Sequence, residues 1–418
     1  MSFFEIIGNL SFAGVLYTCR FEIVVYDKQY TMNNGKYIFS QLTEFLPKRV
    51  FDCIVARYQG DKYVRHFNCW NQMLCMIFGQ LTNRDSLRDL IVAIKAHNQK
   101  SYHLGLGKSV TRSNLAKANE KRDCRIFEEF AYHLIELARN KRENDNFEIK
   151  GKVYAFDSST IDLCLSVFWW AKFRKTKGGI KLHTLYDITT QIPAFIHITP
   201  ATVNDINAMD HIPYESGAYY IFDRGYVDYE RLYKITTLSA FFVIRAKSNL
   251  KFRRIYSRKV DKTTGVKCDQ IGKLTGFYVS KEYPDKLRRV KFYDQETKRV
   301  FIYLSNNMEL TAEQIALLYK NRWQVELFFK WIKQHLKIKS FWGTSENAVR
   351  TQIFTAFITY CLVAIVGNDL KINRSTYEIL QILGISLLDK TPVIELFTKI
   401  DYKDVKEQNH KQLALSLF

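Results

Sequence analysis

Apolar residues recur at helical spacing from about residue 36 to 145. Phe39, Leu42 and Phe45-Leu46 form one such stripe, and Phe127, Phe130, Leu134 and Leu137 another. Few Gly or Pro interrupt this region, which predicts an all-helical N-terminal segment. Within it, Thr111 to Arg122 reads as a polar, basic helix entered through a Ser/Thr cap. Such a helix suits contact with a DNA backbone, and equally an ordinary solvated face.

The period changes from 3.6 to 2 between about 151 and 249. Lys152 to Phe156 predicts a strand ending at Asp157, and Ala218 to Phe222 a strand ending at Asp223. Gly179–Tyr186 and Ala194–Ile198 alternate as half-buried strands. A helix over 227–237 and the strand Ala240–Ile244 follow. Strands first, then strand–helix–strand, predict a mixed α/β sheet. Residues 250–300 carry short β-rich runs with fifteen Lys and Arg against six Asp and Glu. They read as a small basic β insertion. Helices resume at Thr311, an N-cap with Gln314 at capping-box spacing, and run towards the C-terminus.

An aspartate just past the C-terminal end of a sheet strand projects into the crevice where α/β sheets place their chemistry. Singly, Asp157 and Asp223 are as well explained as turn or cap residues; their repetition on neighbouring strands is what points to a site. The helix after the insertion adds a third acid. Tyr319, Arg322, Glu326 and Lys333 fall within roughly a 60° arc of it, with Lys330 and Lys337 on or beside the same stripe. Leu318, Val325, Phe328, Ile332 and Leu336 point the other way, into a core. A solvated face would also produce a stripe, but not a single carboxylate set among so many cations. Three carboxylates with no thiol or imidazole pair favour a hard cation, Mg²⁺ or Mn²⁺, over zinc. Two such ions would support in-line phosphoryl displacement, and the cations beside Glu326 would hold phosphate oxygens.

Composition narrows the partner. The 418 residues carry 62 Lys and Arg against 42 Asp and Glu, a formal charge of +20. Such an excess implies an anionic partner, either nucleic acid or an acidic membrane surface, and equally fits a solvated, solubility-keeping surface. At 47% hydrophobic and 15% aromatic the chain can bury large cores, which excludes a disordered tail or a fibrous repeat. Its length suggests two or three domains. The eight cysteines form no CxxC pair and no zinc-ligand spacing, as expected of unreactive thiols in a reducing compartment. The longest apolar run, 353–366, is short of a bilayer span and reads as a core helix.

With these residues in place, the sequence resembles the DDE transposases of bacterial insertion sequences, specifically the insertion-sequence-4 family. The motif Tyr319-x2-Arg322-x3-Glu326-x6-Lys333 looks like that family's Y-R-E-K signature. The helical stretch from Met32 resembles the N-terminal domain of one subgroup, notably at Tyr58-Gln59-Gly60-Asp61-Lys62-Tyr63 and Gly79 to Arg88. The resemblance implies a ribonuclease H-like catalytic core interrupted by a β-rich insertion, an all-helical N-terminal domain and a helical C-terminal region. It implies Asp157, Asp223 and Glu326 as catalytic metal ligands for two Mg²⁺ ions, for which Mn²⁺ can substitute. Tyr319, Arg322 and Lys333 match positions that bind transposon-end phosphates, Lys330 lies beside them, and Lys251, Arg253 and Arg254 are DNA-contact candidates in the insertion. The implied reaction is hydrolytic nicking followed by 3′-OH attack. It runs in a homodimer on double-stranded DNA, the paired terminal inverted repeats and later the target, with no membrane partner. The expected location is the bacterial cytoplasm, on the nucleoid when DNA-bound.

The expected layout is a non-family extension over 1–31, a DNA-binding domain over 32–145, a catalytic domain over 146–249 and 309–345, the insertion over 250–308 and the C-terminal region over 346–418. Residues 1–31 fit neither the family pattern nor a targeting signal, so Met32 is the expected start. The first two motifs depart from commoner family forms, Asp157 being followed by Ser-Ser-Thr and Asp223 by Arg-Gly-Tyr. Some relatives stack an insertion Trp on a flipped base; residues 250–300 hold no Trp, leaving Tyr256, Phe277, Tyr278 or Tyr283 for that role.

Among lesser features, His183 reads as structural and Asp187, Asp205 and Asp228 as turn or cap residues. Trp169-Trp170 reads as aromatic core, and the run Lys172, Arg174, Lys175, Lys177 and Lys181 as a DNA-backbone candidate. Two other functions are open to the same residues: a catalytically inactive DNA-binding protein that recognises terminal repeats, and a metal-dependent nuclease without strand transfer.

Overall fold

The computed structural model describes residues 35–107, 110–142, 149–171, 178–338 and 340–397. The expectations for 1–31 and for the cations at 172–177 lie outside the described residues. The described residues all fall within one compact unit.

Seven helices come first: α1 (Ile38–Thr43), α2 (Lys48–Arg57), α3 (Cys69–Leu81), α4 (Leu87–Ala96), α5 (Asn98–Ser101), α6 (Arg112–Lys121) and α7 (Arg125–Lys141). Asn68, Ser86 and Thr111 cap α3, α4 and α6, each accepting from the backbone N–H three residues on. The stripe on α7 is fully buried at Phe127, Phe130 and Leu134.

Five strands then form the core sheet: β1 (Val153–Leu163), β2 (Gly178–Asp187), β3 (Ile192–Pro200), β4 (Tyr219–Phe222) and β5 (Phe241–Arg245), with α8 (Tyr229–Thr237) between the last two. Next come β6 (Phe252–Arg258), β7 (Val266–Leu274), α9 (Val279–Glu282), β8 (Leu287–Asp294) and β9 (Arg299–Ser305). The chain closes its described part with α10 (Ala312–Asn321), α11 (Trp323–His335), α12 (Glu346–Asp369), α13 (Thr376–Ser386) and α14 (Val393–Phe397). Thr311 and Gln314 make the capping box that opens α10.

All nine strands share one sheet, in the order β3-β2-β1-β4-β5-β9-β8-β7-β6. β1, β4 and β5 are parallel, as strand–helix–strand connections require, and the remaining pairs are antiparallel. The β-rich run over 250–300 therefore continues the central sheet through the pairing of β9 with β5.

Alternation along the strands assigns the two faces. Tyr154, Phe156, Tyr220, Phe222, Phe242 and Ile244 pack with Leu232 and Ile235 of α8. Ala155, Ile221 and Val243 belong to the other core, with Leu318 of α10 and Val325, Phe328 and Ile332 of α11. Phe328 anchors that face, its ring centroid 5.0 Å from Tyr186 and 5.4 Å from Tyr360; full burial of such a side chain contributes about 1.5–3 kcal/mol. The run 353–366 lies inside α12, whose 24 residues are apolar enough to cross a membrane, yet 94% of its apolar window is buried in the protein.

Two elements differ from the sequence reading. β1 does not end at Asp157 but continues to Leu163, because Ser158–Leu163 pair with the first residues of β2. The polar run Asp-Ser-Ser-Thr hides this extension from a reading based on apolar alternation. The single helix expected over 319–333 is two, meeting at Arg322. Trp169, expected in the core, is 79% exposed, while Trp170 packs inward and donates Nε1–H to the Thr344 carbonyl at 2.8 Å.

Candidate active site

Asp157 sits mid-strand in β1 on the face covered by α11, since it shares the parity of Ala155. Asp223 follows the last residue of the neighbouring strand β4, where the backbone is still extended. The junction of α10 and α11 lies against both. The Tyr319 hydroxyl donates to Asp223 Oδ1 at 3.0 Å. Arg322 donates through Nη1 to Asp157 Oδ2 at 3.1 Å and through Nη2 to Glu326 in the first turn of α11. Asp157 and Glu326 thus share one arginine of the stripe, and Asp223 is held by its tyrosine one turn earlier.

Electrostatics follow from this crowding. Burial raises the Asp157 carboxyl above its ordinary range. The Ser158 N–H, 2.8 Å away, and the Arg322 guanidinium oppose the rise, while the charges of Glu326 and Asp223 add to it. Burial works against the Arg322 charge, but Tyr319, Asp157 and Glu326 outweigh it and hold the guanidinium firmly protonated. Burial first, and then the Asp223 charge, push the Tyr319 phenol up, so it stays a donor. Arg322 Nε is buried without a hydrogen-bond partner.

The other stripe residues divide. Lys333 reaches back to β1, donating to the Thr160 carbonyl at 2.7 Å, and Lys330 is exposed. Lys337 is committed to Asp85 at 2.7 Å. Lys251, Arg253 and Arg254 are exposed at β6, the edge strand five positions from β4. At about 4.8 Å per strand that is roughly 24 Å from Asp223, so the structure does not gather them with the carboxylates.

Sequence reasoning missed Tyr303 of β9. Its ring centroid lies 4.7 Å from that of Tyr319 and fixes the ring whose hydroxyl holds Asp223. Only the pairing of β9 with β5 brings it there, and alternation alone marks it simply as a buried strand residue. Of the aromatics weighed for base stacking, Tyr283 is buried with its hydroxyl 2.8 Å from that of Thr236, which removes it. Tyr256, Phe277 and Tyr278 are exposed. His183 is fully buried and bonded to Thr199 at 2.9 Å; Asp228 caps α8, and Asp187 pairs with Arg139 at 3.0 Å.

The sequence of residues 148–362, which contains all three acids and the helix junction, matches the family model described as a transposase DDE domain. The chain belongs to the DDE transposase family. Residues 34–107 match a domain of unknown function. A protein of Sinorhizobium fredii named as a transposase is 39% identical over 273 residues, 64% of this chain and 74% of the relative. A protein of Geobacillus stearothermophilus, named as a transposase for insertion sequence element IS5377, is 28% identical over 54% of this chain and 59% of its own length. A protein of Synechocystis, named as a transposase for insertion sequence element IS4SA, is 25% identical over 71% of this chain and 81% of its own. Among solved structures, a piggyBac transposase synaptic complex with hairpin DNA aligns over 90% of this chain and 85% of its own, at 10% identity and a TM-score of 0.44.

DDE transposase domains use divalent metal ions. Among the described residues of this transposase, no group of three or more His, Cys, Asp or Glu is drawn together as a ready-made metal cluster. The Arg322 guanidinium is paired with two of the three acids in the space between them. The donor set still fits a hard cation. It is all carboxylate oxygen, and Asp157 carries the cost of burial beside two like charges, which added positive charge relieves.

Proposed function

We propose that this transposase cuts DNA at the ends of an insertion sequence and joins the freed 3′-OH to new DNA, as a member of the insertion-sequence-4 family. The observation that carries the reading is that Arg322 pairs with Asp157 and Glu326 while Tyr319, at the same helix junction, holds Asp223. The strand order β3-β2-β1-β4-β5, with β1, β4 and β5 parallel, supports a ribonuclease H-like core.

Asp157, Asp223 and Glu326 would hold two Mg²⁺ or Mn²⁺ ions, which activate the attacking hydroxyl and stabilise the leaving oxygen. Tyr319 orients the Asp223 carboxylate. Arg322 keeps Asp157 and Glu326 facing each other, and the partly exposed edge of its guanidinium would contact a phosphate of the DNA end. Lys330 and Lys333 extend that contact along α11, while Lys251, Arg253 and Arg254 meet backbone farther along the duplex. The helical segment over 32–145 binds DNA, the β-rich segment over 250–308 acts as the insertion, and two copies work on paired ends.

The test incubates purified protein with a plasmid carrying the element's native flanks, in Mg²⁺ and in EDTA, beside Glu326→Gln. Mg²⁺-dependent breaks at the element ends, lost in the variant, are expected. Binding to those ends without cleavage in Mg²⁺ or Mn²⁺ would instead favour a non-catalytic DNA-binding protein.

A further inference from the structure

The motif Tyr58 to Tyr63 takes no part in the carboxylate site, yet it forms one wall of a cleft of about 650 Å³ whose other wall is α6. The loop is fixed in place: a Cβ on Gly60 would meet Ile126 Cδ1 at 2.5 Å and Cys69 Sγ at 2.8 Å, so it lies directly on α7 and α3. On α6, Lys117 and Lys121 line one face a turn apart, about 6 Å along the axis, close to the separation of neighbouring phosphates on one strand. Lys62 and Arg65 face them from the loop, and all four side chains are exposed.

The acids at this cleft are already engaged. Asp61 accepts from the Cys69 N–H at 2.7 Å and lies 3.9 Å from Arg122. Asp123 is gripped by Arg125, whose hydrogen bonds hold its carboxyl below the usual range. Among the described residues, no carboxylate pairs with Lys62, Arg65, Lys117 or Lys121; Lys62 bonds only to Gln59 Oε1 and lies over the Tyr63 ring. Four cations without counter-charge therefore converge on one concavity.

At its mouth stands Tyr63, 92% exposed and held at φ +62°, a backbone conformation that bulky residues rarely take. The turn that imposes it is closed by Val64 N–H donating to the Asp61 carbonyl at 3.0 Å. A ring presented to solvent on a strained turn, beside uncompensated cations, has the two parts of a nucleic-acid grip: charge for the backbone and a flat face for a nucleotide.

We propose that this cleft is a second DNA site, separate from the carboxylates. Lys62, Arg65, Lys117 and Lys121 bind phosphodiesters, and Tyr63 stacks on an unpaired nucleotide where the same strand ends or is opened. This gives the domain of unknown function over 34–107 a role, and it rests on the DNA reading of the catalytic site.

The test measures binding of the full chain to a fluorescent duplex carrying the element's terminal sequence, and to an unrelated duplex, across a salt series. In the variant Lys62→Gln/Arg65→Gln/Lys117→Gln/Lys121→Gln the slope of log K against log [salt] should fall by roughly 3 to 4 units, equally on both duplexes. On a duplex with a single-stranded overhang, Tyr63→Ala should weaken binding roughly 5- to 150-fold, with Tyr63→Phe close to wild type. Lys117→Arg/Lys121→Arg should keep the slope, which separates charge from fold. Circular dichroism should be unchanged throughout, because every altered side chain is exposed. A folded quadruple variant with the wild-type slope overturns the cleft while leaving the DNA reading intact. Wild-type protein that binds neither duplex overturns both.

Discussion

The Arg288–Asp269 pair is the most exacting place to test the energetics. Arg288 is 1% exposed and forks onto Asp269, with Nε to Oδ1 at 2.9 Å and Nη2 to Oδ2 at 2.8 Å. Its remaining nitrogen, Nη1, donates to the Leu310 carbonyl at 2.5 Å, one residue before the capping box of α10. One guanidinium thus ties β7 and β8 to the start of the helix that carries Tyr319. Asp269→Leu leaves a buried cation without its counter-ion, which should cost about 3–5 kcal/mol. Arg288→Met leaves Asp269 unpaired and should cost a similar amount. Asp269→Leu with Arg288→Met removes both charges. Such replacements are often neutral or stabilising, but here the Leu310 carbonyl loses its donor, at about 1–3 kcal/mol. The double variant should therefore be several kcal/mol more stable than the sum of the singles implies. Urea denaturation of the four proteins, with a shared m-value, closes the double-mutant cycle. Singles that cost under about 1 kcal/mol, or a double equal to their sum, would mean that the two charges are not coupled in the folded chain.

Two further outcomes follow from packing and protonation. A Cβ on Gly79 of α3 would meet Trp342 Cη2 at 2.5 Å and Leu90 Cδ2 at 3.1 Å, so Gly79→Ala should lower stability by about 1–3 kcal/mol despite its better helix propensity, read from the same urea midpoints. Burial lowers His183 to about 4 from 6.5, so between those values the unfolded chain binds the extra proton. The stability gained by keeping the imidazole neutral is complete above about pH 6.5. It is lost as pH falls towards 4, about 3 kcal/mol in all. His197, also lowered to about 4 by burial, titrates in the same window, so His183→Gln should make that part of the stability–pH profile shallower without abolishing it, and an equally steep profile in the variant would count against it.

How much of this was legible in the sequence depends on which contacts set each feature. The capping box of α10 and the buried stripe of α11 are local, and Thr311, Gln314, Val325 and Phe328 stand in the structure as their spacing indicated. That Asp157 and Asp223 lie on or just after neighbouring strands was legible from the apolar run that precedes each. The length of β1 was not, since Ser158–Leu163 are held by pairing with β2 rather than by any pattern of their own. Nor was the hold of Arg322 on both Asp157 and Glu326. The helical stripe put Arg322 beside Glu326, but only packing of the junction on β1 brings Asp157 within reach. Continuation of the β-rich run into the main sheet rests on the β9–β5 pairing, a contact across some sixty residues that no local period announces.

The central claim is that Asp157, Asp223 and Glu326 act together as the ligands of catalytic metal. Its most direct test is calorimetric titration of Mn²⁺ into the full chain bound to terminal-repeat DNA, with wild type beside Asp157→Asn, Asp223→Asn and Glu326→Gln. The account predicts two Mn²⁺ per chain in wild type and weakened or lost binding in every variant. Four identical isotherms would contradict it.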